Sequence, residues 1–266
     1  MPIHPTAVID SQAEVHETAS IGAYAVIGPD VTIGADTVID AHAVISGPTV
    51  IGQRNRIGSF SSVGSPPQDM HYQGEATELI IGDDNLIREY VSIHRGTVSG
   101  QGKTVIGNSC LLMSYCHVAH DCILHDHVIM SNVATLAGHV EVGSYANLGG
   151  LVAVHQFCRI GAYAYIGGMS GISMDVPPYV ILAGTRNQMR ITGVNKIGLR
   201  RNGVSREAVT AIEQAFKIIF RSAPDIVLQD ALTQAEQELS NSPEVCSLVE
   251  FFRASKRGVV KRTEEN

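Results

Sequence analysis

Histidines are the residues with which this chain could most readily do chemistry, because an imidazole gains and loses a proton near neutral pH. All 11 histidines lie before residue 156. His120 is directly followed by Asp121, and a neighbouring carboxylate can fix which ring nitrogen of an imidazole carries the proton. The pair therefore predicts a general base at His120.

Two chemistries suit such histidines. In the first, neutral His120 takes the proton of a substrate hydroxyl as it attacks a thioester, and the backbone N–H near Gly138 holds the oxyanion. In the second, His120 and His125 bind a metal ion, to which another subunit adds a third imidazole. We favour the first chemistry and expect no metal.

A repeat of six residues determines which histidines can meet. Every sixth residue from Ile3 to Val63 is Ile or Val, and an aliphatic residue keeps the same spacing from Ile106 to Ile172. This spacing fits neither a helix nor a simple two-residue alternation, and it is typical of a parallel β-helix with three hexads in each coil. The absence of Trp and an aromatic content of 5% agree with a thin aliphatic core. We predict an all-β fold, a parallel β-helix of about nine coils.

Hexads that begin 18 residues apart lie on one face of such a helix, so those at Val118, Leu136 and Val154 share a face. The hexad at Ile93 joins them if the loop after it returns the chain to the next face. Neighbouring coils are about 5 Å apart. The repeat therefore gathers five histidines along one edge: His94, His117, His120, His139 and His155.

The register breaks twice and then ends, which sets the domain organisation. We expect loops near 64–80 and 99–105, a β-helix over 1–184 and a small α-helical domain over 185–266. Within the helical domain, Ser205 is a candidate N-cap, Pro224 would lie in the first turn of a second helix, and a third helix would follow Ser242.

Charge divides between these two parts. Residues 1–185 contain six Lys and Arg against 16 Asp and Glu, whereas residues 186–266 contain 13 Lys and Arg against 10 Asp and Glu. The Lys and Arg of this segment could lie on the solvent-exposed face of a helical domain, or they could bind an acidic or phosphate-bearing partner.

Composition excludes other classes of protein. No apolar run reaches 18 residues, and the first residues lack the features of a secretory signal, so we expect a cytoplasmic protein without a membrane span. Five cysteines without a CxxC pair argue against disulfides and a structural zinc. We expect no nucleic-acid partner.

Several segments resemble the UDP-N-acetylglucosamine O-acyltransferase family of hexapeptide-repeat acyltransferases, which carries out the first step of lipid A biosynthesis in Gram-negative bacteria. The segments are Pro67-Gln68-Asp69, Tyr72-Gln73-Gly74-Glu75, Ile93-His94-Arg95-Gly96-Thr97, His117-Val118-Ala119-His120-Asp121-Cys122, Leu136-Ala137-Gly138-His139-Val140, Val154-His155-Gln156-Phe157 and Gly193-Val194-Asn195. The resemblance covers essentially the whole chain and implies a left-handed β-helix.

The resemblance also implies an activity. A homotrimer with active sites between neighbouring subunits would transfer a 3-hydroxyacyl group from the phosphopantetheine of acyl carrier protein to the 3-hydroxyl of UDP-N-acetylglucosamine, without a cofactor. His120 would be the base, assisted by Asp121, and Gly138 would donate to the oxyanion. The residues that would contact substrate are Gln68, Asp69, His71, His94, His117, His139, His155, Gln156, Asn195 and Arg201.

Two further roles follow from the same resemblance. Gly168 matches the position that limits acyl length, and a glycine there leaves room for a chain of about 12 to 14 carbons, which spans three to four coils. Acyl carrier proteins are acidic, so we expect this partner to dock on the basic residues Arg200, Arg201, Arg206 and Lys217.

Other activities remain open from the sequence alone. His71 and Ile197 depart from the residues that the family often has, which leaves a 3-amino UDP-sugar as an alternative acceptor. A metal enzyme of the carbonic anhydrase type and a scaffold without catalytic activity are further alternatives. The N-acyltransferase of the same pathway has an N-terminal uridine-binding domain, for which hexads that begin at Ile3 leave no room.

Overall fold

The computed structural model describes residues 3–185, 188–221 and 226–261. Most of the chain is a left-handed parallel β-helix, as predicted. Its strands are β1 (Val8–Ile9), β2 (Glu14–Val15), β3 (Ser20–Ile21), β4 (Val26–Ile27), β5 (Val31–Ile33), β6 (Val38–Ile39), β7 (Val44–Ile45), β8 (Thr49–Ile51), β9 (Arg56–Ile57), β10 (Ser62–Ser65), β11 (Glu78–Ile81), β12 (Leu86–Ile87), β13 (Ser92–His94), β14 (Lys103–Ile106), β15 (Leu111–Leu112), β16 (His117–Val118), β17 (Ile123–Leu124), β18 (Ile129–Met130), β19 (Thr135–Leu136), β20 (Glu141–Val142), β21 (Asn147–Leu148), β22 (Ala153–Val154), β23 (Arg159–Ile160), β24 (Tyr165–Ile166), β25 (Gly171–Ile172), β26 (Val180–Ala183) and β27 (Arg190–Val194).

Every third strand joins the same sheet, so the strands form a prism with three faces. Face 1 has nine strands (β1, β4, β7 and on to β25), and face 2 has eight strands (β2, β5 and on to β23). Face 3 has ten strands, of which β27 at its end pairs antiparallel with β26 and the others run parallel. Nine strands on face 1 agree with the predicted count of coils.

The repeating aliphatic residues fill the interior of the prism. Side chains such as Ile45, Ile57, Ile93, Val118 and Leu136 are fully buried and stack on their counterparts in the next coil. Cysteines fill four further interior positions, and burial raises the pKa of these thiols to about 11 or 12, so that they stay protonated: Cys110, Cys116, Cys122 and Cys158.

Most corners of the prism place one residue in the left-handed region of φ, three positions after the aliphatic residue of the repeat. Two corners matter below. The histidine corner joins faces 1 and 2, and its left-handed residues include Asp121, His139 and Phe157. The apolar corner joins faces 3 and 1, and its left-handed residues are Tyr24, His42, Phe60, Tyr90, Tyr115, Val133, Leu151 and Met169.

Two loops leave the prism where the register breaks. One connects β10 to β11 between Ser65 and Glu78, and the other connects β13 to β14 between His94 and Lys103. After the second loop the chain returns to face 2, so β13 and β16 are neighbours on face 1 and Ile93 aligns with Val118.

Four helices follow the prism: α1 (Lys196–Arg201), α2 (Arg206–Phe220), α3 (Leu228–Glu238) and α4 (Pro243–Arg253). Ser205 and Ser242 cap α2 and α4 with their side chains. The first turn predicted at Pro224 is wrong, because α3 begins at Leu228; Pro224 itself lies outside the described residues. The boundary at 184/185 stays a prediction.

Candidate active site at the histidine corner

Two pairs of histidines pack side by side along face 1 and its edge. The rings of His94 and His117 are 5.0 Å apart and perpendicular, and those of His120 and His139 have the same separation and angle. This spacing follows from the distance between adjacent coils and matches the prediction. Of the five predicted histidines, the structure therefore joins four in two contacts.

Asp121 lies between His120 and His139. Its side chain is fully buried, its Oδ2 is 2.8 Å from Nδ1 of His120, and the same oxygen is 3.9 Å from Nδ1 of His139. Since a carboxylate only accepts, Nδ1 of His120 carries the proton and Nε2 keeps its lone pair. Burial would raise the pKa of Asp121, but hydrogen bonds from His120 and Thr97 hold it below its ordinary value.

Gly138 follows His120 by one coil and lies directly beside its ring. A Cβ at Gly138 would lie 2.5 Å from Cε1 and 2.7 Å from Nε2 of His120, so only glycine fits under this ring. Among the described residues, none accepts a hydrogen bond from the Gly138 N–H. A glycine with an unused N–H donor thus lies against the ring of His120.

The neighbouring histidines are poor proton carriers. Burial, together with the nearby imidazoles, lowers the pKa of His94 to about 4, and burial also lowers the pKa of His117 and His139. Ser92 Oγ lies 2.7 Å from Nδ1 of His117, whereas the buried Nδ1 of His94 has no partner among the described residues. These rings are neutral at pH 7 and can serve as uncharged hydrogen-bonding groups.

The loop after β10 brings acidic charge to this corner. Hydrogen bonds from the backbone N–H and ring of His71 lower the pKa of Asp69, and the proximity of His120 lowers it further. The side chain of His71 is 95% exposed, and Gln68 is exposed as well. Asp69 thus interacts electrostatically with His120, whereas Gln68 and His71 are open to solvent.

Arg95 fixes this loop, a role that the sequence analysis missed. Its Nε donates to the Tyr72 hydroxyl at 3.1 Å, and its Nη1 donates to the carbonyl oxygens of Gly47 and Gly64 at 2.6 and 3.1 Å. Arg95 and Tyr72 belong to two of the matched segments, but nothing in the sequence showed that they would meet.

Phe157 is a second residue that sequence analysis overlooked. Its ring stacks on His139 with centroids 4.4 Å apart. The two residues are 18 positions apart in the sequence, so they occupy equivalent left-handed corner positions in adjacent coils. His155 and Gln156 lie beside Phe157 but are exposed, and the ring Nδ1 of His155 lies 3.2 Å from the carbonyl oxygen of Gln156.

Asn195 and Arg201 lie elsewhere on the chain. Both line a cavity of about 540 Å³ between face 3 and α1, together with His127, Tyr145 and Tyr165. The amide of Asn195 is used inside the fold, because it donates to the Tyr163 carbonyl at 2.9 Å and accepts from the Gly198 N–H at 3.0 Å. Within one subunit these predicted nucleotide contacts are on a different side of the prism from His120.

Gly168 belongs to the apolar corner, next to Met169. A Cβ there would be 3.2 Å from the Gly150 carbonyl oxygen, with only Gly150 atoms within 4 Å. Gly168 therefore opens outward, but away from His120 of the same chain.

The structure does not group His125 with His120, the pair that the alternative metal chemistry would need. His125 is bound by Glu141, with 3.1 Å between Nε2 and Oε1, and among the described residues only His120, Asp121 and His139 could jointly hold an ion. Both nitrogens that face Asp121 are Nδ1 atoms, which this carboxylate already engages or approaches.

A hexapeptide β-helix with an imidazole–carboxylate pair at one corner defines a hexapeptide-repeat transferase. Family models described as bacterial transferase hexapeptide (six repeats) and as UDP N-acetylglucosamine O-acyltransferase, domain 2, match residues 30–65 and 103–138 and residues 175–260, respectively. Among the described residues, no helix has the length and apolar composition needed to cross a membrane.

Curated relatives share the whole length of the chain. A protein of Myxococcus xanthus named acyl-(acyl-carrier-protein)–UDP-N-acetylglucosamine O-acyltransferase is 49% identical over 259 residues, which are 97% of this chain and 99% of the relative. A protein of the same name from Halorhodospira halophila is 50% identical over 260 residues, with the same coverage. The solved structure of LpxA from Acinetobacter baumannii has a TM-score of 0.92 at 45% identity and covers 97% of this chain and 99% of that one. The chain therefore belongs to the UDP-N-acetylglucosamine O-acyltransferase family, which confirms the resemblance seen in its segments.

Proposed function

We propose that this chain transfers a 3-hydroxyacyl group from acyl carrier protein to the 3-hydroxyl of UDP-N-acetylglucosamine, the first step of lipid A biosynthesis, with His120 as general base. One observation carries this proposal: Gly138, whose N–H has no acceptor among the described residues, packs directly against the ring of His120. Acyl transfer needs a base for the attacking hydroxyl and a nearby donor for the oxyanion.

The steps follow from these two groups. Nε2 of His120 takes the proton of the sugar hydroxyl as its oxygen attacks the thioester carbon. The Gly138 N–H stabilises the negative charge on the former carbonyl oxygen. The C–S bond then breaks, and the imidazolium returns its proton to the departing phosphopantetheine thiolate. Asp121 stabilises the imidazolium between these steps, and no cofactor takes part.

The other polar residues of the corner would bind the substrates. Because His94, His117 and His139 are neutral at pH 7, they do not repel the imidazolium of His120 and can hydrogen-bond to the sugar or the acyl hydroxyl. Gln68, Asp69 and His71 would cover the sugar from the loop above, and His155 and Gln156 would extend the site by one coil.

A homotrimer is the assembly that completes this site. His120 and Arg201 lie on different sides of one prism, so a nucleotide sugar could reach both only if a second subunit supplied one of them. The apolar corner offers the surface for this contact, because its side chains are between 40% (Val133) and 75% (Met169) exposed in the single chain. Exposed apolar stripes of this kind mark protein interfaces.

The acyl donor would approach over the helical domain. Arg200, Arg201, Arg206 and Lys217 are exposed on α1 and α2 and offer positive charge to an acidic carrier protein. The Gly168 opening would receive the end of the acyl chain. Acyl carrier protein and nucleotide sugars are cytoplasmic substrates, and we propose that the enzyme works there.

An assay of the purified protein tests the function. A panel of 3-hydroxyacyl carrier proteins is offered with UDP-N-acetylglucosamine and with its 3-amino analogue, and the product is analysed for an ester or an amide. We expect an ester on the 3-position. Turnover only with the amino sugar would overturn the assigned acceptor, and no turnover with either would overturn the function.

Mixed trimers test whether the site is shared. His120→Ala and Arg201→Ala chains are produced separately and together. If each site takes His120 from one chain and Arg201 from its neighbour, mixing should restore about a quarter of the wild-type sites. If both residues act within one chain, the mixture will be no more active than the average of the two variants.

A further inference from the structure

The loop of residues 96–102 is built around the carboxylate of Asp121. The Thr97 N–H lies 3.2 and 3.1 Å from its two oxygens, and the Gln101 N–H donates to Oδ1 at 3.0 Å. The Thr97 hydroxyl donates to Oδ2 at 2.6 Å, which is the shortest of these contacts. The side-chain amide of Gln101 also donates to the Asp121 carbonyl at 3.1 Å.

The shape of the loop depends on this closeness. A Cβ at Gly100 would strike the carboxylate of Asp121, so the loop packs on it without an intervening side chain. The N–H groups of Gly100 and Gly102 both donate to the Thr97 carbonyl, at 3.1 and 3.0 Å, and these bonds close the loop. Thr97 is 2% exposed and Asp121 is 3% exposed, so no water competes for the bonds between them.

The two carboxylate oxygens have different neighbours. Oδ1 receives the Gln101 N–H, whereas Oδ2 receives the Thr97 hydroxyl and Nδ1 of His120 and lies near Nδ1 of His139. The Thr97 hydroxyl is thus the side-chain hydroxyl that binds the same carboxylate oxygen as His120.

We propose that Thr97 is a positioning residue for acyl transfer: its hydroxyl fixes the Asp121 oxygen that orients His120. This inference rests on the proposed role of His120 as general base. Thr97 itself does not touch the substrate, so its effect must pass through Asp121 to the imidazole.

Loss of the hydroxyl has a defined electrostatic consequence. With one donor fewer, the buried carboxylate is less well stabilised and attracts a proton on His120 more strongly. The other charged or titratable groups near this pair include Asp69 from the loop after β10, His94 and His117 from face 1, and His139 from the next coil. Asp121 also lines a cavity together with Glu141, Arg159, Asp175, Lys256 and Arg257. None of them is changed by a substitution at Thr97.

The variants that test the proposal differ in which hydroxyl group they remove or keep. Thr97→Val keeps the shape and removes the hydroxyl, Thr97→Ser keeps the hydroxyl, and Ser99→Ala removes the exposed hydroxyl 3.1 Å from Thr97 Oγ1 without touching the carboxylate. We expect Thr97→Val to lower kcat about tenfold with little change in KM for the nucleotide sugar, as for loss of one hydrogen bond to a charged group. Thr97→Ser and Ser99→Ala should remain close to the wild type.

The pH profile separates positioning from simple destabilisation. Thr97→Val should move the acid limb of kcat/KM to higher pH by about half a unit or more. A variant that is merely less stable would lose active protein at every pH and keep the limb in place. An unmoved limb together with unchanged kcat would overturn the proposal, as would equal damage from Thr97→Ser.

A measurement without turnover keeps this inference apart from the proposed function. Protein with ¹⁵N-labelled histidine reports by NMR which nitrogen of His120 carries the proton, with His120→Ala to assign the signal. Near the pH of the wild-type acid limb, we expect a larger fraction of His120 rings protonated on both nitrogens in Thr97→Val than in the wild type. If that fraction is the same in both proteins, the inference fails even where acyl transfer is confirmed; if it differs in a protein without turnover, only the function fails. Should Thr97→Val not fold, Thr97→Ala, which also removes the hydroxyl, provides the same comparison with Thr97→Ser.

Discussion

The histidine corner and the apolar corner are built on the same backbone and do different work. In both, a left-handed residue follows the buried aliphatic residue by three positions in successive coils. At the histidine corner these residues include Asp121, His139 and Phe157, of which the rings of His139 and Phe157 stack, and at the apolar corner they include Tyr115, Val133, Leu151 and Met169.

Loops explain part of the difference. The insertions after β10 and β13 bring Asp69 and Thr97 to the histidine corner, where they bury and orient polar groups. No described insertion covers the apolar corner between Tyr115 and Met169, so its side chains stay open to another surface. The repeat supplies equivalent positions, and the side chains and loops added to them decide whether a corner does chemistry or binds.

The largest expected effect is at His120. His120→Ala should lower kcat by about a hundredfold or more, because it removes the base that activates the sugar hydroxyl. The measurement is steady-state turnover, with size-exclusion chromatography to show the same assembly as the wild type. His125→Ala is the matched control: it removes an exposed imidazole five residues away and should leave turnover unchanged. If His125→Ala were as inactive as His120→Ala, a metal site would regain support.

A substitution at Gly138 tests the difference between the two corners, because Gly150 occupies the same position of the repeat at the apolar corner. Gly138→Ala places a Cβ 2.5 Å from the His120 ring, so it must displace the base, and we expect kcat to fall about a hundredfold. Gly150→Ala is the control at the same position of the apolar corner, where the nearest atom is the Asn132 carbonyl oxygen at 3.4 Å. Circular dichroism should show both proteins folded. Equal activity of the two variants would remove Gly138 from the site.

The fold was predictable because one signal repeats in nearly every coil. From Ile21 onward each aliphatic residue of the repeat is buried, so its spacing reports directly on the backbone, and the order of the faces follows by counting. The contact between Ile93 and Val118 needed an assumption about a loop, which proved correct. Helix α1 was missed because six residues after a strand carry too little periodicity, and the start of α3 was wrong because Pro224 was taken as a helix start.

The site was predictable only where the repeat reaches. His94, His117, His120 and His139 were placed from their hexads, and Gly138 from its position one coil above His120. Arg95, Tyr72 and Thr97 lie in or beside loops, whose paths no periodicity describes. For the same reason, the separation of Arg201 from His120 could not be read from the sequence, since α1 and its groove follow the last coil.

Gly168 tests the apolar corner as part of the site. Gly168→Met should shift preference toward shorter acyl chains, since each methylene excluded from an apolar groove costs about 0.8 kcal/mol, or roughly a fourfold change. Competition between carriers of 10-carbon and 14-carbon chains measures the shift. Gly168→Ala is the control, because it adds the Cβ near the Gly150 carbonyl but does not reach into a groove. A variant that is less stable but keeps its long-chain preference would make Gly168 a structural glycine.

The smallest expected effect lies outside both corners, on the helical domain. Arg206→Glu should raise KM for the acyl carrier protein about three- to tenfold at low salt, because exposed charges on α2 attract an acidic partner only weakly and are screened by ions. The difference from wild type should shrink as salt is added. An acyl phosphopantetheine without its carrier protein is the control donor: it does not reach α2, so both proteins should use it equally. If Arg206→Glu impairs both donors alike, the basic surface serves the catalytic site or the fold, and the carrier protein docks elsewhere.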